Sequence, residues 1–383
     1  MIRVITLFGT RPEVIKLAPV IRALRMRPEV FSVLTVASGQ HTDLLYPFVE
    51  LFGIPVDYDL RVMEPHQTPS DVCARVLTGF DPILARERPD VLLVQGDTTT
   101  AMAGALAAFH RRIRVGHVEA GLRSGDALSP FPEEMNRRLI TRLARWHFAA
   151  TPRNRDTLLA EGVSEQDVFV TGNPVVDALD TILAGSRANG RVSQLLEQTA
   201  GLRRLVLTTH RRESFDGRLA ENLKVLRRFV ETRPDVALLF PVHPNPAVVE
   251  ATQAILQGNE RIHLLPPLGY AEFVWLLSSA WLIVSDSGGV QEEAPSLGKP
   301  LLILRENTER PESVEVGIAK LVGPRPERLA ELLEEADRPG SWIERAGIVD
   351  NPFGRGDAGR RVAEVLASRP VCEPSQPALE SAR

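Results

Sequence analysis

An α/β protein with two doubly wound domains is the fold class that this sequence predicts, and three observations lead to it. Short runs of apolar and β-branched residues alternate with helical patterns along most of the chain. Within the runs consecutive residues are apolar, which is typical of parallel strands that are covered on both faces. At 383 residues, the chain is also too long for one ordinary core.

The predicted strands fall into two groups. In the first half of the chain they are the runs at 4–8, 31–37, 91–95, 115–120 and 147–150. In the second half they are the runs at 205–209, 236–242, 281–285 and 300–304. Because helical patterns separate the strands in both groups, each group predicts a parallel sheet with helices on its two faces.

A polar stretch without a strand pattern around residues 172–200 predicts the boundary between the domains. We expect one Rossmann-like domain over 1–172 and a second over 173–355, with the carboxyl ends of both sheets facing a central cleft. A helix over 356–368 is expected to pack back toward the first domain. The tail over 369–383 is polar and proline-rich and is predicted to be disordered.

Composition and charge argue against several classes of protein. A formal net charge of −4 argues against a nucleic-acid partner, which usually requires a basic face. Cys73 and Cys372 are the two cysteines, so there is no disulfide framework and a reducing compartment is expected. The N-terminus lacks a signal-peptide pattern, and no apolar run is long enough to span a membrane. We therefore expect a cytoplasmic protein without a membrane partner.

The segment SDSGGVQEEAP, residues 285–295, follows an apolar run and has the pattern of a strand, a turn and a helix. Gly288 and Gly289 have no Cβ, so the backbone amides beside them can approach an anion closely. The helix that begins near Val290 directs its N–H groups and the positive end of its dipole toward the same point. The pattern indicates a phosphate-binding turn, although an ordinary strand–turn–helix corner has the same local features.

The segment GTRPEVIKLAPV directly follows the first predicted strand. Gly9 permits a tight exit from the strand, and Pro12 suits the first turn of a helix. Arg11 lies in the loop and Lys16 lies about one and a half helical turns further on, so both can face a phosphate or a sugar. The alternative for Lys16 is an ordinary solvated charge on a helix.

Carboxylates follow the next strands. Asp97 lies at the end of the strand at 91–95, where it either caps the following helix or leaves capping to the threonines after it. Glu119 lies in an apolar strand, and burial there would raise the pKa of its carboxyl group and make it a usable acid or base. Glu133 and Glu134 lie in a first helical turn, a favourable position for acidic residues with or without a function.

Two further motifs lie in the second half of the chain. His210 follows its first predicted strand and precedes Arg211 and Arg212, so it can transfer protons or help to hold a diphosphate. Arg310 adds a candidate contact for a phosphate or a ribose. No GxGxxG, P-loop, GxSxG or metal-ligand motif stands out, so the sequence indicates neither a tightly held nicotinamide cofactor nor a metal.

Together and in this order, the motifs closely resemble those of the non-hydrolysing UDP-N-acetylglucosamine 2-epimerases. The matching segments are GTRPEVIKLAPV, QGDTTTAMAGALAA, GHVEAGLRSGD, PEEMNRR, HRRESF, HPNP, and SDSGGVQEEAPSLGKP with ENTERPE. The resemblance implies two Rossmann-like domains in the glycosyltransferase-B arrangement and a homodimer. It also implies reversible conversion of UDP-N-acetylglucosamine (UDP-GlcNAc) to UDP-N-acetylmannosamine (UDP-ManNAc) without a cofactor.

The implied reaction is an elimination followed by a re-addition, because no carbonyl group makes the C2 proton of the sugar acidic. UDP leaves across C1–C2 to give 2-acetamidoglucal and adds back after a proton has reached the other face of C2. The resemblance implies a catalytic set of Asp97, Glu119, Glu133, His210 and Lys16. It implies UDP contacts from Arg11, His210, Ser287, Gly288, Gly289, Glu293 and Arg310. Which carboxylate is the acid and which the base stays open.

Many bacterial members of that family bind a second UDP-GlcNAc as an activator, through a Gln-His-x-Gln sequence and a downstream arginine. Gln40 and His41 are therefore candidate allosteric residues. Asp43 stands where the second glutamine is usual, and His66 stands near the usual arginine. Since an acidic residue would repel a diphosphate, we expect activation by substrate to be weak or absent.

Alternatives share parts of this pattern. A relative that hydrolyses UDP-GlcNAc to ManNAc, or that epimerises a modified UDP-diacetamido sugar, would have similar motifs. A retaining glycosyltransferase of the same fold would leave Asp97, Glu119 and Glu133 without an evident role. A nucleotide-sugar-binding regulator without turnover would be expected to have lost part of the catalytic set.

Overall fold

Two parallel β-sheets form the framework of the protein in a computed structural model. The structure describes residues 1–40, 42–185, 190–209 and 218–369, apart from the side chains of residues 42–44. The chain divides into two compact units. The N-terminal unit comprises Met1–Ala178 and the chain from Gly354 onward, and the C-terminal unit comprises Leu179–Phe353. Residues 370–383 of the predicted tail lie outside the described part of the chain.

The N-terminal unit is built on a sheet of parallel strands. They are β1 (Ile2–Phe8), β2 (Phe31–Ala37), β3 (Tyr58–Asp59), β4 (Val91–Gln95), β5 (Arg114–Ala120), β6 (Trp146–Ala149) and β7 (Val168–Val170). Their order across the sheet is β3-β2-β1-β4-β5-β6-β7. The central strand β4 is buried along its whole length, as its continuous apolar sequence predicts.

Helices connect these strands. They are α1 (Arg11–Arg25), α2 (Thr42–Leu51), α3 (Pro69–Glu87), α4 (Thr99–His110), α5 (Glu133–Leu143), α6 (Pro152–Ala160) and α7 (Pro174–Gly185), the last of which continues into the C-terminal unit. Thr98 and Thr151 cap α4 and α6 by accepting hydrogen bonds from backbone N–H groups of the first turn. The small residues of α4 allow it to lie close to the sheet, since a Cβ added at Gly104 would lie 2.2 Å from the Leu7 Cδ2.

The C-terminal unit repeats the same plan. Its strands are β8 (Arg203–Thr208), β9 (Val236–Pro241), β10 (Ile262–Leu265), β11 (Leu282–Ser285), β12 (Leu301–Ile303) and β13 (Ala319–Leu321). Their order is β10-β9-β8-β11-β12-β13, again all parallel. Its helices are α8 (Gly190–Gln198), α9 (Arg218–Thr232), α10 (Pro246–Leu256), α11 (Tyr270–Ser278), α12 (Val290–Ser296), α13 (Glu312–Glu315) and α14 (Pro326–Ala336), followed by a short 3₁₀-helix (Trp342–Ile348).

The last helix, α15 (Ala358–Ser368), belongs to the N-terminal unit and packs on α1. Asp177 accepts hydrogen bonds from the backbone N–H groups of Ala358 and Gly359, which satisfies the start of α15. A Cβ added at Gly359 would lie 2.6 Å from the Pro19 carbonyl oxygen. The glycine therefore lets α15 approach the backbone of α1 closely.

Both strand orders reverse direction at a defined point, between β1 and β4 in the first sheet and between β8 and β11 in the second. In open α/β sheets, ligands bind at the carboxyl ends of the strands beside such a switch point. The loops that follow β1, β4 and β11 carry the GTRPE, GDTTT and SDSGG segments. The fold thus places three of the predicted motifs at switch points.

The predicted α/β fold class with two Rossmann-like domains is confirmed, and every predicted strand is present. Four short strands, β3, β7, β10 and β13, were not predicted, since each has only two to four residues and shows no clear periodicity. Among the described residues, no helix combines the length and the apolar character needed to cross a bilayer.

Candidate active site

The loops after β1 and β4 approach each other because glycines remove steric obstacles. A Cβ added at Gly9 would lie 2.0 Å from the Ser38 Oγ and 2.6 Å from the Thr100 Oγ1. Gly96 has a φ of +68°, a conformation that favours glycine. Gly9 therefore lets its loop approach Ser38 and the start of α4, and Gly96 allows the backbone turn that follows β4.

Glu119 is held at the end of β5 by two donors from other elements. Lys16 of α1 donates to one carboxylate oxygen and Gln95, the last residue of β4, donates to the other. The side chains of Lys16 and Glu119 are each 9% exposed, so this ion pair is shielded from water. Glu119 has a φ of +64°, a strained conformation for a non-glycine residue. Strain of this kind persists only where neighbours fix it, and it often occurs at functional sites.

Asp97 follows Gly96 and is held by α5. The Arg137 Nε donates to the Asp97 Oδ2 at 2.8 Å, and the Asn136 side chain donates to the Asp97 backbone carbonyl at 2.9 Å. Thr98, rather than Asp97, caps α4. Of the two roles that the sequence left open for Asp97, capping is thus filled by its neighbour, and its carboxylate stays 26% exposed beside a buried arginine.

Two fully buried side chains support the loop that carries Asp97. The His117 Nε2 lies 2.7 Å from the Gly96 carbonyl oxygen, so this nitrogen carries the proton and donates it. Burial lowers the pKa of His117 to about 3, which keeps the ring neutral. Glu13 accepts hydrogen bonds from the N–H groups of Gly9 and Thr10 and from the Thr98 hydroxyl. It therefore connects the loop after β1 to the loop after β4.

Glu13 combines deep burial with an unusual pKa. Burial raises the pKa of its carboxyl group to about 7. The hydrogen bonds from the Gly9 amide and the Thr98 hydroxyl favour the ionised form and lower the pKa, but their effect is smaller than that of burial. The sequence analysis did not identify Glu13. A signal for it exists, because an acidic residue three positions after Thr10 is the pattern of a capping box.

Glu133 and Glu134 differ sharply in their surroundings. Glu134 is fully buried and accepts hydrogen bonds from Arg137, Arg138 and the backbone N–H of Ser124. Glu133 is half-buried and has no hydrogen-bond or ion-pair partner among the described residues. The structure thus gives Glu134 a structural environment and leaves Glu133 available for a ligand.

The remaining candidates of the N-terminal unit are Arg11 and the residues of the predicted allosteric pattern. Arg11 is exposed, with its guanidinium 5.7 Å from the centre of the Phe48 ring. The Gln40 side-chain oxygen accepts hydrogen bonds from Thr100 and therefore touches the start of α4. His41 and the side chain of Asp43 lie outside the described residues, and His66 is exposed with a φ of +59°.

In the C-terminal unit, the predicted phosphate-binding turn lies at the switch point. The Ser285 side chain accepts a hydrogen bond from the Ser287 backbone N–H and bonds the Thr208 hydroxyl of the neighbouring strand. A Cβ added at Gly288 would lie 3.3 Å from an Arg310 guanidinium nitrogen and 3.7 Å from one of Arg305. The turn therefore has two guanidinium groups beside it.

Ion pairs and hydrogen bonds hold the side chains around this turn, and two of them involve glutamates of α12. Arg310 forms an ion pair with Glu292 at 2.5 Å and a longer one with Glu309 at 3.5 Å. Glu293 is buried and accepts a hydrogen bond from the Tyr270 hydroxyl at 2.7 Å. Arg305 donates to the Asp286 carbonyl at 2.8 Å.

The structure thus pairs Lys16 with Glu119 and places Asp97 on the neighbouring loop of the same unit. In the other unit it places Arg310 beside Gly288, with Glu293 on the helix that follows the turn. His210, with Arg211 and Arg212, lies outside the described residues. Sequence analysis missed Gln95, Glu13, Tyr270 and Arg305. Within the described ranges, no group of three or more His, Cys, Asp or Glu side chains is arranged to hold a metal ion.

Comparison with known proteins gives one consistent result. A profile of the UDP-N-acetylglucosamine 2-epimerase family matches residues 22–367. The chain is 42% identical to the UDP-N-acetylglucosamine 2-epimerase of Escherichia coli K12, over 96% of this chain and 99% of that one. It is also 42% identical to the enzyme of that name from Bacillus subtilis, over 95% of each chain.

Solved structures agree. The UDP-GlcNAc 2-epimerase of Neisseria meningitidis bound to UDP-GlcNAc superimposes with a TM-score of 0.87 at 38% identity, covering 96% of this chain and all of that one. The epimerase of Methanocaldococcus jannaschii in complex with UDP-GlcNAc and UDP gives 0.77 at 37%, with 96% and 99% coverage. A glycotransferase of kitacinnamycin, at 15% identity and a TM-score of 0.62, shares the fold. The chain belongs to the UDP-N-acetylglucosamine 2-epimerase family.

Proposed function

We propose that this protein interconverts UDP-GlcNAc and UDP-ManNAc by inverting C2 of the sugar, without hydrolysis. The observation that carries the proposal is the shielded group at the end of β5, where Lys16 and Gln95 hold the Glu119 carboxylate. Asp97 on the neighbouring loop supplies a second carboxylate, which Arg137 holds. Two positioned carboxylates are what proton removal and proton return on opposite faces of one carbon require.

The proposed chemistry divides between the two units. In the forward direction a carboxylate of the N-terminal unit takes the C2 proton, the C1–C2 double bond forms, and the C1–O bond breaks with its electrons passing to UDP. In the return step a proton is delivered to the other face of C2, and a UDP oxygen attacks C1. Protons and electrons balance within substrate and protein, so no redox partner is needed.

The C-terminal unit is proposed to hold UDP through both steps. Gly288 and Gly289 leave the backbone of the turn open to a diphosphate, and Arg310 and Arg305 place positive charge beside it. Positive charge stabilises UDP as a leaving group, which lowers the barrier to elimination. We assign Glu293, which Tyr270 orients, to the ribose hydroxyls, and Arg11 and His210 to further contacts with UDP.

Lys16 has a proposed role beyond ion pairing. Its ammonium group places a positive charge against the Glu119 carboxylate in a contact that is almost completely shielded from water, and such a charge favours the ionised form of a carboxyl group. The third carboxylate, Glu133, is proposed to act on the sugar because nothing in the described part of the protein occupies it. His210 is proposed to assist proton transfer. Activation by a second UDP-GlcNAc is expected to be weak because Asp43 and His66 depart from the usual pattern around Gln40 and His41.

The first experiment is incubation with UDP-GlcNAc in D₂O, followed by proton NMR. Formation of UDP-ManNAc with deuterium at C2 is expected, and Glu119→Gln should slow the appearance of both signals by about 10²- to 10⁴-fold. Free ManNAc accumulating with UDP would make the protein a hydrolysing relative. No reaction, with UDP still bound, would point to a modified UDP-sugar or to a regulator. Loss of UDP binding as well would contradict the proposal altogether.

We also propose a homodimer in the cytoplasm, with no nucleic-acid or membrane partner. Exposed apolar side chains on α4 and α5, among them Phe109, Met135 and Leu139, are available for contact between copies. Light scattering coupled to size-exclusion chromatography should give twice the chain mass. A monomer at micromolar concentration would contradict this part of the proposal.

A further inference from the structure

Gln95 is a buried polar residue at the edge of the candidate site, and its contact with Glu119 has a consequence for the protonation state of that carboxylate. Its side chain is 2% exposed, although it ends a strand that is otherwise apolar. It pairs in register with Val118, so it lies beside the residue that precedes Glu119. The amide group of a buried glutamine needs hydrogen-bond partners, and the Gln95 N–H group donates to the Glu119 carboxylate.

The hydrogen bonds around Glu119 select one protonation state. Lys16 donates to one of its oxygens and Gln95 to the other, so both oxygens act as acceptors. A protonated carboxyl group would direct its own O–H toward one of these donors. Two donors therefore stabilise the ionised carboxylate relative to the acid.

The same hydrogen bonds fix the position of Glu119. Its backbone has a φ of +64°, and the pairing of β5 with β6 shifts register between Val118 and Ala120. A residue at such an irregularity has no neighbouring strand residue to set its direction. Lys16 from α1 and Gln95 from β4 restrain the side chain from two elements at once.

We infer that Gln95 is a positioning residue that holds Glu119 as the ionised base aimed at C2, an inference that rests on the proposed epimerase reaction. Charged and titratable groups on the elements around Glu119 include Lys16 on α1, His117 on β5, and Asp97, which is paired with Arg137 of α5. His117 is neutral because burial lowers its pKa to about 3. Gln95 is an uncharged donor to the Glu119 carboxylate.

The test substitutes Gln95 in the full-length protein in three ways. Gln95→Glu places a second carboxyl group against Glu119, so the two should share a proton. Gln95→Leu keeps the approximate volume and removes the donor. Gln95→His retains a ring N–H donor and serves as the conservative variant. Circular dichroism and UDP binding by calorimetry first establish that each variant folds.

The deciding measurement is the titration of Glu119 itself, followed by infrared spectroscopy with ¹³C-labelled glutamate and identified by the signal lost in Glu119→Gln. We expect the midpoint to rise by about one pH unit or more in Gln95→Glu and Gln95→Leu, and to stay near the wild-type value in Gln95→His. Unchanged midpoints in all three variants would overturn the inference. This readout needs no turnover, so it remains decisive even if the protein proves not to epimerise UDP-GlcNAc.

Kinetics supply the second readout. The acid limb of the kcat–pH profile should move with the Glu119 midpoint, and kcat should fall about 10-fold to 100-fold in Gln95→Leu while KM changes less than about twofold. If Gln95→Leu only lowered thermal stability and left the profile in place, Gln95 would be a structural residue. Loss of C2 exchange in the wild-type protein would count against the proposed function, not against the titration result.

Discussion

The switch points of the two sheets occupy the same place in the same strand order, yet the side chains gathered there differ in kind. At the end of β4 and β5, carboxylates are held by cationic and amide donors, as Lys16 and Gln95 hold Glu119. After β11 the central residue, Gly288, has no side chain, and guanidinium groups lie beside it. The first arrangement suits proton transfer at a sugar carbon, and the second suits a diphosphate.

The fold determines where a ligand can bind, whereas the local side chains determine which part of the chemistry each unit can perform. A doubly wound sheet offers an open edge at its switch point whatever the sequence. In the N-terminal unit that edge carries a strained glutamate with shielded partners. In the C-terminal unit it carries an unobstructed backbone turn. If the two edges had the same task, Glu119→Gln and Gly288→Val would not separate turnover from UDP affinity.

The largest effect is expected from Glu119→Gln, which removes the proposed base and keeps the side-chain shape. We expect kcat to fall by about 10²- to 10⁴-fold, because general acid–base catalysis contributes about this much. The affinity for UDP should not change, since the carboxylate belongs to the other edge. Steady-state kinetics and calorimetry would measure both. A loss of UDP affinity with kcat intact would contradict the division between the edges.

The neighbouring glutamates of α5 provide a matched pair. Glu134 is buried against Arg137, which also pairs with Asp97, so Glu134→Ala removes one of two carboxylates beside a buried cation and should lower the free energy of unfolding by about 1–3 kcal/mol. Glu133→Gln should leave stability unchanged and lower kcat. Denaturant unfolding and kinetics on both variants would test this. The opposite pattern would mean that the two residues have exchanged roles.

Sequence alone predicted the fold class and the positions where strands end in polar motifs, because apolar runs and glycine turns are local signals. The same local signals made Lys16, Asp97, Glu119 and Gly288 candidate site residues, and their roles stay predictions. It could not find Gln95, whose partner lies 24 residues further along the chain on another strand. Tyr270 and its partner Glu293 are likewise brought together only by folding.

The sequence could not show that Glu134 is buried in ion pairs while Glu133 is available to a ligand. Both residues occupy a first helical turn, and only the direction of each side chain separates a buried ion pair from an available carboxylate. Glu13 was missed for a different reason. Its capping-box spacing is visible in the sequence, but its contact with Thr98, which makes it a link between two loops, depends on tertiary structure.

Glu13 predicts that the stability of the N-terminal unit depends on pH. Its pKa is raised from 4.5 to about 7 in the folded protein. The folded state therefore binds a proton more tightly than the unfolded state, which stabilises the fold below pH 4.5, and this contribution disappears as the pH rises toward 7. The wild-type protein should lose up to about 3 kcal/mol relative to Glu13→Gln over this range.

Denaturant unfolding of both proteins between pH 4.5 and 8 would measure the Glu13 effect as a gap that widens with pH. Glu231→Gln, on the exposed face of α9, is the control, and its gap from the wild type should be flat. A Glu13 gap that stayed constant or narrowed would mean that the three hydrogen bonds outweigh burial and keep the carboxylate ionised.

The smallest effect is expected at the turn itself. A Cβ at Gly288 would lie 3.3 Å from Arg310, so Gly288→Val must displace a guanidinium group that is proposed to hold the diphosphate. We expect the Kd for UDP to rise about tenfold, which corresponds to about 1.4 kcal/mol, and KM to rise with it. The rate of C2 exchange at saturating substrate should fall less, because proton transfer is proposed to take place at the other edge. Gly347→Val is the control, since an added Cβ there would meet nothing closer than 3.9 Å. If Gly288→Val left the affinity for UDP unchanged, the diphosphate would have to bind elsewhere in the protein, and the turn after β11 would not be its site.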